Sequence, residues 1–371
     1  MKIFQSYLLL VQRANISADK AVQCQHSLKT DNIVMCLCCG VPLELGAIAK
    51  SHSLEYDHHL FISMDPFSQG KFWIFPDNKS YLSSDDVTKE LIDIERSLRP
   101  VFTKESSHEV LMKRSAVDAV LGGDYIPGRV PLTYTAIKDT HNDIYILISH
   151  IDDIVKQLIS YYPQEDTPLL NHTSLLIKKL WSPWLFRPYV APLAIEKFLN
   201  DEFSLVPTDV RSFFVWLLNQ LERESAQGKR IRKLFQGKLL NNHKKTSFIV
   251  LPLKLELNSL LSKEDVQFDI SHLIDTAPWS VVTCPKILVI HIERFSSGTL
   301  NDALVVFNPE LLSVGDSSYR LIAASTINHH VFTLDTLTSR WLKFNHLEVK
   351  EVEKDEIVVA KNIQLLIWSK L

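Results

Sequence analysis

The sequence predicts an α+β protein in two parts: a small metal-binding domain, then a larger one whose helices precede its strands. Three observations predict it. Four of the five cysteines (Cys24, Cys36, Cys38, Cys39) crowd into one N-terminal segment beside His52, His58 and His59. Apolar residues recur at helical spacing through the middle of the chain, and short apolar runs of strand type fill its last third. Finally, 46% hydrophobic and 22% charged residues with only 10 glycines is the composition of a chain that folds throughout.

At roughly 100–200 residues per domain, 371 residues suggest two domains, each able to bury its own core without disulfides. The first is expected over 1–99, followed by a connector over 100–123 and the second domain over 124–371. In the first domain, strands are expected at Asn32–Met35, His59–Ile62 and Lys71–Phe75. Ser84-Asp85-Asp86 forms a helix start, and Val87, Leu91, Ile94 and Leu98 keep helical spacing until Pro100 stops it. The connector reads as partly helical over 109–121 and ends in Gly122-Gly123. In the second domain, helices are expected at Asn142–Tyr161, Thr173–Leu180, Ala191–Leu199 and Val210–Glu224. Strands follow at Phe248–Leu255, Ile287–Ile292, Tyr319–Ala324, His330–Leu334 and Ile363–Trp368.

Charge and hydropathy exclude several classes of partner. With 40 Lys and Arg against 43 Asp and Glu, a formal charge of -3 gives no whole-chain field toward nucleic acid or anionic membrane, so any RNA contact is local or made through partners. The opening MKIFQSYLLLV has a basic residue before a short apolar run, but QRANIS follows where a small-residue cleavage site belongs, so no secretion is expected. Nothing approaches the ~20 apolar residues of a membrane-spanning helix. One stretch is locally basic, with Lys229, Arg230, Arg232, Lys233, Lys238, Lys244 and Lys245 around Phe235. It reads as a solvated face, or as a contact for RNA phosphate or an acidic protein surface.

The cysteine cluster carries metal chemistry. Cys36 and Cys39 form a C-x2-C pair followed by Gly40, and thiolates so spaced on a tight turn hold one face of a tetrahedral ion that imidazoles can complete. Mixed sulfur and nitrogen donors suit zinc. Cys36, Cys39, His52 and His58 are the expected ligands, with Cys24, Cys38 and His59 left open as exchange or second-site ligands. Cys284, alone before Pro285, reads as a buried small residue rather than as a relocated nucleophile.

The runs NIVMCLCCG, KSHSLEYDHHLF and FWIFPDN resemble a UBP-type zinc finger. YIPGRVPLTYT, KKLWSPWLFRPYVAP, DVRSFFVWLLNQL, FQGKLL, FIVLPLKLEL, ILVIHIERF, YRLIAASTI and IQLLIWSKL, in that order, resemble the papain-like domain of the ubiquitin-specific proteases, in the splicing-factor branch of the snRNP-assembly-defective type. The resemblance implies where catalytic groups would stand. The family's Gly-Asn-Thr-Cys-Tyr falls on Ala136-Ile137-Lys138-Asp139-Thr140, so Asp139 replaces the nucleophilic cysteine and Ile137 the oxyanion-binding asparagine. Asp139 is then expected to cap a helix near Asn142. The family's base falls at Asn328, with His329 and His330 one and two residues on, and its orienting acid at Asn345; Asp139, His330 and Asn345 are the degenerate catalytic positions.

The resemblance also implies truncated fingers, since only Asn241–Ser247, without cysteine, separates the two finger strands, and Gly40-Val41-Pro42-Leu43 lacks the arginine and aromatics of a ubiquitin-tail pocket. Ubiquitin capture is therefore not expected. The implied function is a non-catalytic nuclear pre-mRNA splicing factor acting in assembly or maintenance of the tri-snRNP, with zinc as cofactor and spliceosomal proteins as partners. The alternatives are a ubiquitin or ubiquitin-like recognition module and an active deubiquitinase.

Overall fold

The computed structural model describes residues 6–12, 16, 24–29, 31–64, 71–82, 91–92, 94–95, 132, 139–182, 189–241, 243–255, 267–296, 299–335, 338–345 and 348–371. The chain divides into two compact units, one of Met1–Thr103, Asp118–Tyr125 and Ser182–Pro188, the other of Lys104–Val117, Ile126–Trp181 and Tyr189–Leu371. The helix expected after Ser84 is described only at residues 91–92 and 94–95, where Leu91 and Ile94 are buried, and the one expected over 109–121 lies outside the described residues.

The first unit is built on a five-stranded antiparallel sheet in the order β2-β1-β3-β4-β5, comprising β1 (Ile33–Cys36), β2 (Pro42–Glu44), β3 (Leu60–Ser63), β4 (Lys71–Ile74) and β5 (Lys79–Leu82). All residues of β1 and β3 are buried, which is why these strands read as unbroken apolar runs. One face, with Met35, Leu37, Leu60, Ile62, Phe72 and Ile74, packs on Leu91 and Ile94; the other, with Val34, Cys36, Leu43, Phe61 and Phe75, packs on Ala49. Ala49 belongs to α1 (Ala47–Tyr56), a helix without a sequence-level periodic signal. It begins after Gly46 at φ 114, a conformation only glycine adopts without strain, and ends at Asp57 in the left-handed region at φ 57.

The second unit opens with α2 (Asp139–Ser149), α3 (Asp152–Ile159), α4 (Pro168–Leu180), α5 (Leu193–Glu202), α6 (Val210–Glu224) and α7 (Ala226–Leu234). The single helix expected over Asn142–Tyr161 is two helices. The break is made by side chains that take the last carbonyls of α2: Ser149 Oγ and His150 Nδ1 donate to Ile146 O at 2.7 and 2.9 Å, and Trp181 Nε1 donates to Ser149 O at 2.8 Å. Ile151 is then extended, and Asp152 and Asp153 favour the start of α3. Helix α6 keeps its expected limits, since Asp209 Oδ1 accepts from Ser212 N at 2.8 Å and its apolar stripe is buried. Glu224, at its other end, accepts from Leu169 N and Leu170 N at 2.9 and 2.8 Å and so closes the start of α4. Helix α7, which the sequence reading left out, turns so tightly from α6 that a Cβ at Gly228 would lie 1.7 Å from Leu221 O.

Two sheets follow. Strands β6 (Gly237–Asn241), β7 (Lys244–Phe248) and β10 (Ser280–Thr283) form a small sheet in the order β10-β6-β7. An eight-stranded sheet runs β19-β18-β17-β16-β20-β11-β8, with β15 beside β16; its strands are β8 (Val250–Lys254), β11 (Ile287–Glu293), β15 (Leu312–Val314), β16 (Ser317–Thr326), β17 (His330–Asp335), β18 (Arg340–Asn345), β19 (Glu348–Val352) and β20 (Ile363–Lys370). The strand expected over Phe248–Leu255 is therefore split between sheets: Phe248 pairs with Gly237 in the small sheet, and Val250 pairs in parallel with Val289 in the large one. Strand β8, with Pro252 at its centre, ends the order of the large sheet. Trp368, Tyr319, Phe332 and Leu366 anchor its core, closed by α8 (Ile270–Asp275) and α9 (Lys354–Val358) through Ile270, Ile274 and Ile357.

Two buried charges set stability. His141 Nδ1 lies 3.1 Å from both carboxylate oxygens of Glu196, Nε2–H donates to Pro207 O at 3.0 Å, and the ring stacks on Phe213 at 3.7 Å, all out of solvent. Glu196→Ala leaves a buried imidazole facing nothing and is expected to lower unfolding free energy by about 3–5 kcal/mol in urea titration. Lys178, 1% exposed, donates to Tyr161 O at 2.6 Å, and burial pushes its pKa down to about 8. The unfolded chain therefore binds more protons than the native one between about pH 8 and the ordinary lysine value. Stability gains on raising pH through that window, by roughly 1–3 kcal/mol, and chemical denaturation of Lys178→Met should show that gain removed relative to the parent.

Candidate functional site

The cluster of Cys36, Cys39, His52 and His58 assembles as the spacing predicts. Cys36 ends β1, and Gly40 N donates back to Cys36 O at 2.8 Å, with Gly40 at φ 72 closing the turn that carries Cys39. His52 comes from the buried face of α1, and the left-handed Asp57 reverses the chain so that His58 faces it. One ligand atom from each of the four residues lies within 4.8 Å of every other. Cys39 Sγ is 3.5 Å from His52 Nε2, which is 3.3 Å from His58 Nδ1. A tetrahedral ion with metal–nitrogen bonds of about 2.0–2.1 Å and metal–sulfur bonds of about 2.3 Å has edges of about 3.3–3.8 Å, so the pocket fits one such ion. Burial, with the neighbouring His58 second, holds His52 below its ordinary pKa and so keeps the neutral, ligating form.

The three residues left open by spacing have other partners. His59 Nδ1 lies 2.8 Å from Ser53 Oγ and its Nε2 2.7 Å from Asp57 Oδ1. Cys24 Sγ accepts from Ser27 N at 3.4 Å and Glu44 N at 3.2 Å. Cys38 is buried beside Leu43 and Phe61. None of the three is in the four-residue group.

In the second unit Asp139 is the first residue of α2; its side chain, and Ile137 altogether, lie outside the described residues. One turn further, Asp143 is buried and its Oδ2 is 2.9 Å from His329 Nδ1. His329, at φ 59, occupies the turn between β16 and β17. His330 opens β17 directly opposite Asn345 on β18, yet among the described residues no hydrogen bond joins their side chains, and Asn345 Oδ1 is buried without a partner. Burial first, and Lys343 second, hold His330 below its ordinary pKa. The histidine that meets the helix headed by Asp139 is thus His329, one residue before the position chosen from sequence. Asp143, four residues from Asp139 on the same helical face, was the missed signal. Cys284 is half-buried and donates to Val314 O at 3.2 Å. The shortened finger is the β6–β7 hairpin, with Asn241 paired to Lys244 across its tip.

With fold and site in hand, comparison with known proteins is direct. The family described as ubiquitin carboxyl-terminal hydrolase matches residues 132–368, and the chain belongs to that family. Among curated proteins it is 23% identical over 430 residues to the pre-mRNA-splicing factor SAD1 of Saccharomyces cerevisiae, covering 98% of this chain and 93% of that protein. It is 27% identical over 287 residues to ubiquitin carboxyl-terminal hydrolase 39 of Homo sapiens, covering 70% of this chain but only 48% of the human protein, so the match spans about half of that relative's length. Among solved structures, an essential yeast splicing factor superimposes with a TM-score of 0.80 at 23% identity, over 99% of this chain and 100% of the other. The SAGA Ubp8/Sgf11/Sus1/Sgf73 DUB module gives 0.52 at 16% identity, over 97% and 90%. These likenesses establish a papain-like fold of the ubiquitin-specific protease type with an N-terminal Cys/His cluster. No helix among the described residues is long and apolar enough to cross a membrane.

The metal pocket predicts its own titration. Cobalt(II), followed by its thiolate charge-transfer and tetrahedral ligand-field bands, should saturate at about one ion per chain with release of protons, since the ligating thiols must ionise. His52→Ala should weaken that binding at least tenfold, and acidification should reverse it.

Proposed function

We propose that this chain is a non-catalytic, nuclear pre-mRNA splicing factor whose protease-like domain serves as a protein-binding scaffold in assembly or maintenance of the tri-snRNP. The observation that carries the reading is that similarity to a protein named as a splicing factor runs nearly end to end in both chains, through the Cys/His cluster as well as the protease-like domain. A shared protease-like domain alone would account for residues 132–368 and leave the Cys/His cluster unmatched.

The chemistry supports the non-enzymatic half. A papain-like protease needs a thiolate at the head of its central helix, where the helix dipole and a histidine lower the thiol pKa. Here the sequence has no cysteine between positions 39 and 284, and the helix begins with Asp139. Cys284 sits before β11 with its thiol committed to Val314 O. A carboxylate at position 139 forms no thioester, and Ile137 offers no hydrogen bond to an oxyanion; the latter loss alone typically costs about 10²–10³ in rate. We assign zinc as the ion of the Cys36, Cys39, His52 and His58 pocket. All four positions of a tetrahedral ion are taken by protein, so its contribution is folding energy for the first unit rather than chemistry. On this reading residues 1–99 act as the zinc finger and 124–371 as the inactive protease-like domain.

Affinity capture of the full chain from nuclear extract should enrich small nuclear ribonucleoprotein proteins, and its depletion should lower tri-snRNP and raise intron retention. A ubiquitin-derived fluorogenic substrate should not turn over, and an electrophilic ubiquitin probe should leave the protein unlabelled. Labelling by that probe, or intact splicing in depleted extract, would refute the proposal.

A further inference from the structure

Residues 225–255 contain Lys229, Arg230, Arg232, Lys233, Lys238, Lys244, Lys245 and Lys254 and not one Asp or Glu, in a chain whose formal charge is -3. The fold joins most of these cations into one surface. On α7, Lys229 lies three and four residues before Arg232 and Lys233 and so shares a face with them, and Gln236 follows two residues past the helix end. Arg232 Nη1 donates to Gln236 Oε1 at 3.3 Å, and Gln236 Nε2 donates to Ser247 Oγ at 2.9 Å, which ties that face to the β6–β7 hairpin. Ser247 pairs directly with Lys238, and Lys245 lies two residues along on the same side of the hairpin. The helix stripe therefore continues onto the hairpin as Lys229, Lys233, Lys238 and Lys245.

These cations are set apart by clustering: other exposed lysines without an acidic partner among the described residues, such as Lys50, Lys156, Lys197 and Lys361, lie far apart along the chain. Lys286, Lys350, Lys354, Arg211 and Arg340 are each paired with a carboxylate at 2.6–3.4 Å. Within the basic surface Arg232 is paired with Glu222 at 3.0 Å. Lys229, Arg230, Lys233, Lys238, Lys244 and Lys245 are exposed and, among the described residues, have no acidic partner. Six uncompensated charges repel one another and lower stability unless a polyanion neutralises them.

The composition of the surface selects the polyanion. Phe235 and Phe248 are both buried, and the one exposed ring, His243 at the hairpin tip, stands alone, so no aromatic platform is offered for stacking successive unpaired bases. The surface also lacks the exposed Trp or Tyr anchor that a specific protein interface uses, and five of its six free cations are lysines, point charges suited to a phosphate backbone contacted without fixed register. Exposed Asn241 and Thr246 on the hairpin offer short polar groups suited to ribose hydroxyls. We propose that α7 and the β6–β7 hairpin form a binding surface for the phosphate backbone of double-stranded RNA, independent of base sequence. The inference goes beyond the scaffold role, since it stands on charge placement alone and assigns a direct nucleic-acid contact.

Fluorescence anisotropy of the full chain with a labelled RNA duplex of about 20 base pairs tests it. Binding should lie in the range of ~10⁻⁴–10⁻⁶ M near physiological salt and strengthen steeply as salt is lowered. A Lys229→Gln, Lys233→Gln, Lys238→Gln triple variant should bind at least tenfold more weakly and lose about 2–3 from the slope of log K against log salt. The Lys→Arg triple variant should bind like the parent, and Lys286→Gln, Lys350→Gln, Lys354→Gln should change nothing. Thermal unfolding of none of the three should fall below the parent's, because the altered side chains are in water, and the Lys→Gln triple variant, which removes three mutually repelling charges, should equal or exceed it. Absence of salt-dependent binding, or a Gln variant with the parental slope, would overturn the assignment. So would displacement of the duplex by polyglutamate at equal charge, tighter binding of single-stranded RNA, or equal affinity for a DNA duplex of the same sequence.

Discussion

Helix α2 is held by two charged tethers, and the arrangement of the second unit depends on them. On one side His141 is locked to Glu196 of α5 and stacked on Phe213 of α6, and on the other Asp143 reaches His329 at the head of β17. The tethers are two residues apart on a helix whose remaining face is Ile144, Tyr145, Leu147 and Ile148, all buried. One element thus fastens the helical half to the sheet half. In an enzyme of this family such a helix presents its nucleophile between those halves. Here the corresponding helix begins with Asp139.

The two tethers differ in exposure. The His141 and Glu196 side chains are 1% and 4% exposed, so neither can lose its partner without stranding a charge away from water. His329 is 32% exposed and keeps water on one side, but Asp143 is 6% exposed, so its carboxylate too depends on the partner it has.

How much was legible in the sequence followed from how far apart interacting residues lie along the chain. The metal ligands span Cys36 to His58, and a C-x2-C turn with nearby imidazoles declares itself locally. Helix α6 was legible to its limits because both its cap and its apolar stripe are local. His141 and Glu196 are 55 residues apart, and nothing near either announces the other. The break in the helix expected over Asn142–Tyr161 was hidden for a similar reason, since the carbonyl of Ser149 is taken by Trp181 from a distant helix. Phe248 to Leu255 reads as one apolar run because pattern reports burial, and both sheets bury it; which sheet each residue joins is decided by Gly237 and Val289. The acid-free stretch from 225 to 255 was visible as charge, but only the pairing of Lys238 with Ser247 shows that helix and hairpin cations form one surface.

Pro252 has a consequence for what this protein can join. Strand β8 closes the large sheet's order on one side, where an unfinished row of peptide groups would invite a further strand from any neighbour. A proline in the middle of that row withholds one donor and fixes its own φ, so a strand approaching there meets a gap in the ladder. Growth of the sheet by addition of like edges is discouraged. Association is left to side-chain chemistry, which can be made specific, rather than to the backbone, which cannot.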